Sequence, residues 1–148
     1  VLKGCRSADG RVGVLTPFKL HRYDLAARAE LPAFRPPDGL VADASDDGGV
    51  AAVHERGAVR WRLWDPAANA PLDDHFDLTG GAPPRLLYNP LLAPDGRAFA
   101  VSLVGDGRLL VWHRGDARPR VVARAPHGRR FPFLAFPPDA SFLVGAQT

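Results

Sequence analysis

Asp73-Asp74-His75-Phe76-Asp77 gathers three carboxylates and an imidazole within five residues, the oxygen and nitrogen donors from which divalent-cation sites are built. On an extended strand Asp73, His75 and Asp77 share a face, yet at ~3.3 Å per residue they stand about 7 Å apart, wider than one ion's shell. The run reads as an exposed outer strand. Asp46-Asp47-Gly48-Gly49 resembles part of a calcium loop but lacks the alternating acidic ligands and the distant glutamate, so it reads as a turn. No Gly-x-Ser-x-Gly elbow and no phosphate-binding Gly-Lys-Ser/Thr loop occurs, and Ser7, Ser45, Ser102 and Ser141 have no histidine at a suggestive place. Cys5 is the single cysteine, so it makes neither an internal disulfide nor a thiolate metal site by itself. It reads as a small strand residue in a protein of a reducing compartment, the cytoplasm. No catalytic, metal-binding or cofactor-binding residue is assigned.

Charge supports the same reading. Lys and Arg total 19 against 16 for Asp and Glu, a formal net charge of +3. The cations are nearly all arginines interleaved with aspartates; Arg129 and Arg130, with Arg124 and His127 nearby, form the one modest cluster. A surface that tracks phosphates needs more clustered cations, so nucleic acid is not the expected partner. No apolar run approaches the roughly 18–20 residues of a membrane span, so no membrane is expected either.

The elements that position these residues repeat along the chain. Asp-Gly-type turns recur at Ala8-Asp9-Gly10, Asp47-Gly48-Gly49, Pro94-Asp95-Gly96 and Pro138-Asp139-Ala140, with intervals between aspartates of 38, 48 and 44 residues. An aromatic residue follows the first three at 14, 17 and 17 residues: Tyr23, Trp64 and Trp112. Glycine lets the chain reverse at positive φ, and the aspartate side chain takes up turn amides. Short apolar segments flank each turn, and Val59, Trp61 and Leu63 alternate with Arg60, Arg62 and Trp64. Apolar periodicity of 3.6 runs nowhere for ten residues; the Ala-rich stretch from Leu25 to Leu31 is the nearest helix candidate, and its place after Tyr23 matches an outer strand. The expected fold is all-β, with four short strands per repeat.

These residues resemble a degenerate WD40 repeat pattern. Residues 92–113 read Leu-Ala-Pro-Asp-Gly, a strand, then Gly-Asp-Gly-Arg-Leu-Leu-Val-Trp-His, and Trp64-Asp65 supplies the Trp-Asp dipeptide. His127 lies twelve residues before Asp139, the place of the family's Gly-His histidine. The resemblance implies β-propeller blades, each a four-stranded antiparallel sheet, and a hydrogen-bonded structural network in which Ser102, Asp106 and Trp112 belong to one blade and His127 to the next, with Trp64 and Asp65 in the blade before. Pro126 replaces the glycine before His127, Arg35 and Pro83 stand where earlier histidines would fall, and Tyr23-Asp24 replaces Trp-Asp. Propellers resembling TolB also use Pro-Asp-Gly turns.

The expectation is therefore an incomplete propeller of about three and a third blades: blade 1 at about residues 1–32, blade 2 at about 40–80, blade 3 at about 85–126, and part of blade 4 at about 131–148. The chain has no Met and opens at Val1, and is read as a segment of a longer protein. Open blade faces would make it prone to associate with copies of itself. Few lysines among many arginines, with abundant Ala, Gly and Pro, suggests a GC-rich bacterial source. The expected function is non-catalytic: a scaffold or sensor that binds a protein through loops on one face, with Arg35, Arg56, Arg108, Arg129 and Arg130 as contacts. The alternatives are the propeller of an enzyme, of hydrolase, peptidase or TolB-like type, and a propeller that binds a small ligand.

Overall fold

The computed structural model describes residues 3–6, 10–16, 19–55, 60–77, 86–104, 107–126, 129 and 131–146. Fourteen strands and no α-helix are found among them, in two compact units, Val1–His75 and Phe76–Thr148. In the first unit β1 (Lys3–Arg6), β2 (Arg11–Thr16), β3 (Lys19–Asp24) and β4 (Ala29–Phe34) form one sheet in chain order. A second sheet follows: β5 (Leu40–Ala44), β6 (Ala51–His54), β7 (Arg60–Asp65) and β8 (Ala70–Asp77). The second unit carries β9 (Leu86–Leu92), β10 (Ala98–Val104), β11 (Arg108–His113) and β12 (Arg120–Arg124), again in chain order, and then the two-stranded sheet β13 (Phe133–Ala135) and β14 (Val144–Ala146). The chain is all-β, and its three four-stranded antiparallel sheets are propeller-type blades.

The register of the two middle strands repeats. Val12 lies opposite Tyr23, Ala51 opposite Trp64 and Phe99 opposite Trp112. Each third strand thus places its aromatic at the same step of the ladder. In the first unit Leu15, Leu20 and Phe34 of one sheet pack with Val41, Ala44, Ala51 and Val53 of the next, and Trp64 lies against them. Phe34 and Trp64 meet with ring centroids 5.8 Å apart and planes tilted by 43°, a contact worth about 0.5–1.5 kcal/mol beyond its area. Trp61 is three residues from Trp64 and so occupies the other face of the sheet, buried, with its ring 4.9 Å from that of His54.

Turn chemistry explains where the strands reverse. In the second sheet the Ser45 carbonyl accepts from Gly48 N, the Asp47 carboxylate accepts from Gly49 N, and Ser45 N donates to the Val50 carbonyl, each at 2.9 Å. The third sheet repeats the set: Gly96 N to Ala93 O at 2.9 Å, Arg97 N to Asp95 Oδ1 at 2.9 Å, and Ala93 N to Ala98 O at 2.8 Å. The residue after each aspartate has positive φ, +66° at Gly48 and +70° at Gly96.

The fourth copy keeps two of these bonds, Ala140 N to Pro137 O at 2.9 Å and Ser141 N to Asp139 Oδ1 at 3.1 Å. The third is chemically impossible, because Pro137 has no N–H. The apolar run that follows Ser141 enters a strand only at Val144, where β14 begins, since the hairpin lacks the bond that latches its neighbours at the turn. The amide and hydroxyl of Ser141 hold the Asp139 carboxyl below its ordinary value of 3.8, so this cap persists at neutral pH and is lost only as pH falls through the lowered value. Ala140 adopts φ +53° where the two earlier copies use glycine. Ala140→Gly should therefore stabilise the β13–β14 hairpin by about 1 kcal/mol, read as slower hydrogen exchange at the Ala135 and Val144 amides, which share the parity of the bonded pair nearest the turn in the other sheets.

Candidate interaction surface

In a four-stranded meander the turns alternate between the two ends of the sheet. The first-to-second and third-to-fourth turns share one end. The second-to-third turns share the other end with the linkers between sheets.

Several aspartates at the first end cap its turns through backbone amides. Asp65 Oδ1 accepts from Ala67 N at 2.7 Å and Ala68 N at 3.0 Å, and Asp24 Oδ1 accepts from Ala27 N at 2.9 Å. Both turns close through a left-handed residue, Arg28 and Asn69, each at φ +51°. The underlying sequences match, Asp24-Leu25-Ala26-Ala27-Arg28-Ala29 and Asp65-Pro66-Ala67-Ala68-Asn69-Ala70. The Asp of the Trp-Asp dipeptide thus caps a hairpin. In the third sheet His113 takes its place, and the Trp112 indole N–H donates to the Asp116 carbonyl at 2.8 Å in a turn opened by Gly115 at φ +85°. Ser102 is fully buried, and its hydroxyl accepts from Phe131 N at 3.2 Å, tying β10 to the segment that begins the fourth copy. Ser102→Ala removes that acceptor and should cost about 1–2 kcal/mol, measurable as a lowered urea midpoint.

The second end carries arginines together with Asp38 and Glu55, the latter 3.1 Å from Arg62 Nε. Arg35 and Arg129 are exposed and Arg108 is half-buried; all three lie in or beside linkers or second-to-third turns. In the second unit the backbone brings two of them together. Gly107 O accepts from Ala125 N at 2.8 Å, and Arg129 N from the following linker donates to Pro126 O at 3.1 Å. A Cβ on Gly107 would stand 2.6 Å from Ala125 O and 2.9 Å from Arg129 O. Only glycine lets the turn and linker approach this closely, and its φ of +68° requires glycine as well. Arg108 and Arg129 therefore occur on one rigid end of this unit, whereas Arg35 belongs to the first unit. Arg56, Asp106, His127 and Arg130 lie outside the described residues, as do the side chains of Cys5 and Asp73–Asp77.

Two other places offer polar or apolar concavity. In the first unit, Arg22 sits beside Arg11, but its Nε and Nη2 donate to Pro32 O at 3.3 and 3.2 Å, a structural tie. Burial first, and then the Arg11 charge, lower its pKa, against the opposing pull of Asp65. In the second unit an apolar cleft of about 410 Å³ lies between Leu109, Val111 and Val122 on one side and Phe131, Phe142 and Leu143 on the other, bordered by the unlatched 136–143 loop. The Ser141 hydroxyl at its edge donates to Asp139 at 2.7 Å. Among the described residues no three His, Cys, Asp or Glu side chains converge to hold a metal ion.

No protein-family model matches the chain, and no curated protein matches it. Solved structures do resemble it. Hydrazine synthase of Kuenenia stuttgartiensis aligns over 96% of this chain and 40% of its own, at 14% identity and a TM-score of 0.55. A chain of the mitotic checkpoint complex aligns over 99% of this chain and 43% of its own, at 16% identity and a TM-score of 0.63. The chain spans about two-fifths of the length of each. At such identities the likeness is one of fold, and it agrees with the blade-like sheets and their repeated register in assigning a propeller-type fold.

Proposed function

We propose that this chain is a non-catalytic interaction domain of WD40 type that binds a protein partner through the linker end of its blades, in the cytoplasm. The carrying observation is that exposed residues stand on short linkers the sheets hold in place, Arg35 in the first unit and Arg129 in the second, while Asp24, Asp47, Asp65 and Asp95 cap turns at the other ends of their sheets. Rigid loops presenting arginine suit recognition, because little side-chain or loop entropy is lost on docking. The mitotic checkpoint complex, named for an assembly, is consistent with protein partners for the fold.

Site-specific photo-crosslinking inside the source cell tests this. A photoreactive residue at Pro37 or Arg129 on the linker end should yield discrete adducts, whereas one at Ala26 or Arg97 on the opposite end should not. Equal labelling at both ends, or none at either, would overturn the reading. A small-ligand reading has one observation in its favour, the apolar cleft of the second unit, whose volume falls in the range of ligand pockets. It predicts a rise in melting temperature with apolar aromatic fragments that Leu143→Trp, which fills the cleft, abolishes.

A further inference from the structure

The repeated register fixes which face each strand turns to its neighbours. Side chains alternate along a strand, so each sheet has a leading face, toward the sheet that follows, and a trailing face, toward the sheet before. In the first unit Leu15 and Leu20 lead, and the second sheet meets them with Val41, Ala51, Val53 and Trp64 of its trailing face. The third sheet obeys the same rule. Ser102 stands at the step of Leu15, and its hydroxyl accepts from Phe131 N of the fourth copy. Leu109, paired with Ser102, packs with Phe131, and Leu134 and Leu143 lie against that cluster.

The β13–β14 hairpin uses its trailing side in this way. Leu134 pairs with Gly145 as Val41 pairs with Val53, and a Cβ on Gly145 would meet the Phe131 ring at 3.3 Å. Its leading side carries Phe133, Ala135, Val144 and Ala146, all exposed. The ladder sets Val144 at the step of Gly13, Ala52 and Ala100, each of which is buried. Val144 is 53% exposed and Phe133 67%. This is an uncharged patch at positions that the other three sheets cover.

The first sheet carries the matching surface. Val12, Val14 and Tyr23 on its trailing face stand at the steps of Ala51, Val53 and Trp64, the residues by which the second sheet seats on the first. Ala51 and Val53 are fully buried, whereas Val12, Val14 and Tyr23 are half-buried. Beside them His21 and Glu30 pair with each other at 3.6 Å.

We infer that the leading face of the hairpin is a docking surface for the trailing face of the first sheet in a second copy of this chain. The repeat itself selects the occupant: this step of the stack takes a sheet with small and branched apolar residues at the places of Ala51 and Val53 and an aromatic at that of Trp64, and Val12, Val14 and Tyr23 supply them. Two different patches meet, so the contact is head to tail and builds a ring or a filament. It uses sheet faces, not the linker end, and stands apart from the partner contact proposed above.

Sedimentation velocity of the intact chain should show mass rising with concentration. Val144→Glu and Phe133→Glu, both at exposed positions, should each weaken self-association roughly tenfold or more, and Tyr23→Lys should do the same from the other face. Leu25→Glu, at a turn residue that is 54% exposed, should leave it unchanged. A mixture of Val144→Glu with Tyr23→Lys should associate again, because each variant keeps the face that the other lacks; unfolded variants could not do so. A chain that stays monomeric at every concentration would overturn the inference and give the hairpin face to a different protein or strand. Parent-like association of both glutamate variants would overturn it as well. So would a mixture that stays apart, the result expected of a two-fold contact of hairpin on hairpin.

Discussion

Gly107→Ala is expected to lower the stability of the second unit by about 3–5 kcal/mol, among the larger costs a single substitution imposes. Two independent penalties combine. An L-residue at φ +68° loses about 1–2 kcal/mol relative to glycine. The new methyl carbon would also stand 2.6 Å from one backbone oxygen and 2.9 Å from another. Neither oxygen belongs to a flexible side chain. The linker after β12 must move, and the Ala125-to-Gly107 hydrogen bond moves with it. Because natural domains are stable by only about 5–15 kcal/mol, the substitution should remove a large share of that stability, read as a clearly lowered urea midpoint. Gly10→Ala is the control: its φ is +82°, but nothing stands within 4 Å of the added carbon. It should cost only the conformational term. Equal effects at the two positions would mean that the close approach at Gly107 has no energetic consequence.

The second large effect falls on Trp112. Its side chain is 2% exposed, and its N–H is bonded to the Asp116 carbonyl. Trp112→Ala should cost about 3–5 kcal/mol by leaving a cavity. Trp112→Phe keeps most of the volume but withdraws the donor, for about 1–2 kcal/mol. Trp64 stands at the same step of the ladder in the second sheet, yet its buried indole nitrogen has no hydrogen-bond partner among the described residues. Trp64→Phe should therefore cost less than Trp112→Phe. Urea denaturation of the three variants reads both comparisons, and a penalty for Trp64→Phe as large as for Trp112→Phe would contradict the hydrogen-bond account.

Much of this fold is legible in the sequence because its turns announce themselves. Asp47-Gly48 and Asp95-Gly96 carry both the acceptor and the positive φ that a reversal needs, and Trp64 and Trp112 keep a constant distance from them. The hairpins at 24–29 and 65–70 were harder to see. Their left-handed residues are Arg28 and Asn69, and the Asp-x-Ala-Ala-x-Ala match emerges only when the two segments are laid side by side. The end of the fourth copy eluded the apolar pattern, because a missing N–H at Pro137 has no signature in hydrophobicity. At the candidate surface Arg108 and Arg129 stand out as loop arginines. The opposition of Arg108 to Arg124 does not, since it depends on a one-residue ladder shift that charge spacing alone cannot reveal.

The shared register has a consequence for folding fidelity. Any second strand could pair with any third strand in the same alignment, using the same backbone bonds and the same flanking turns. Side chains alone tell the correct hairpin from the wrong one. Gly13 faces Arg22 where Ala52 faces Leu63 and Ala100 faces Val111, and Val14 faces His21 where Val101 faces Leu110. An exchange that set β3 against β10 would bring Arg22 opposite Ala100 and His21 opposite Val101, in a strand whose residues are buried on both faces. The polar character of β3 thus guards the apolar third sheet against mispairing while the chain folds.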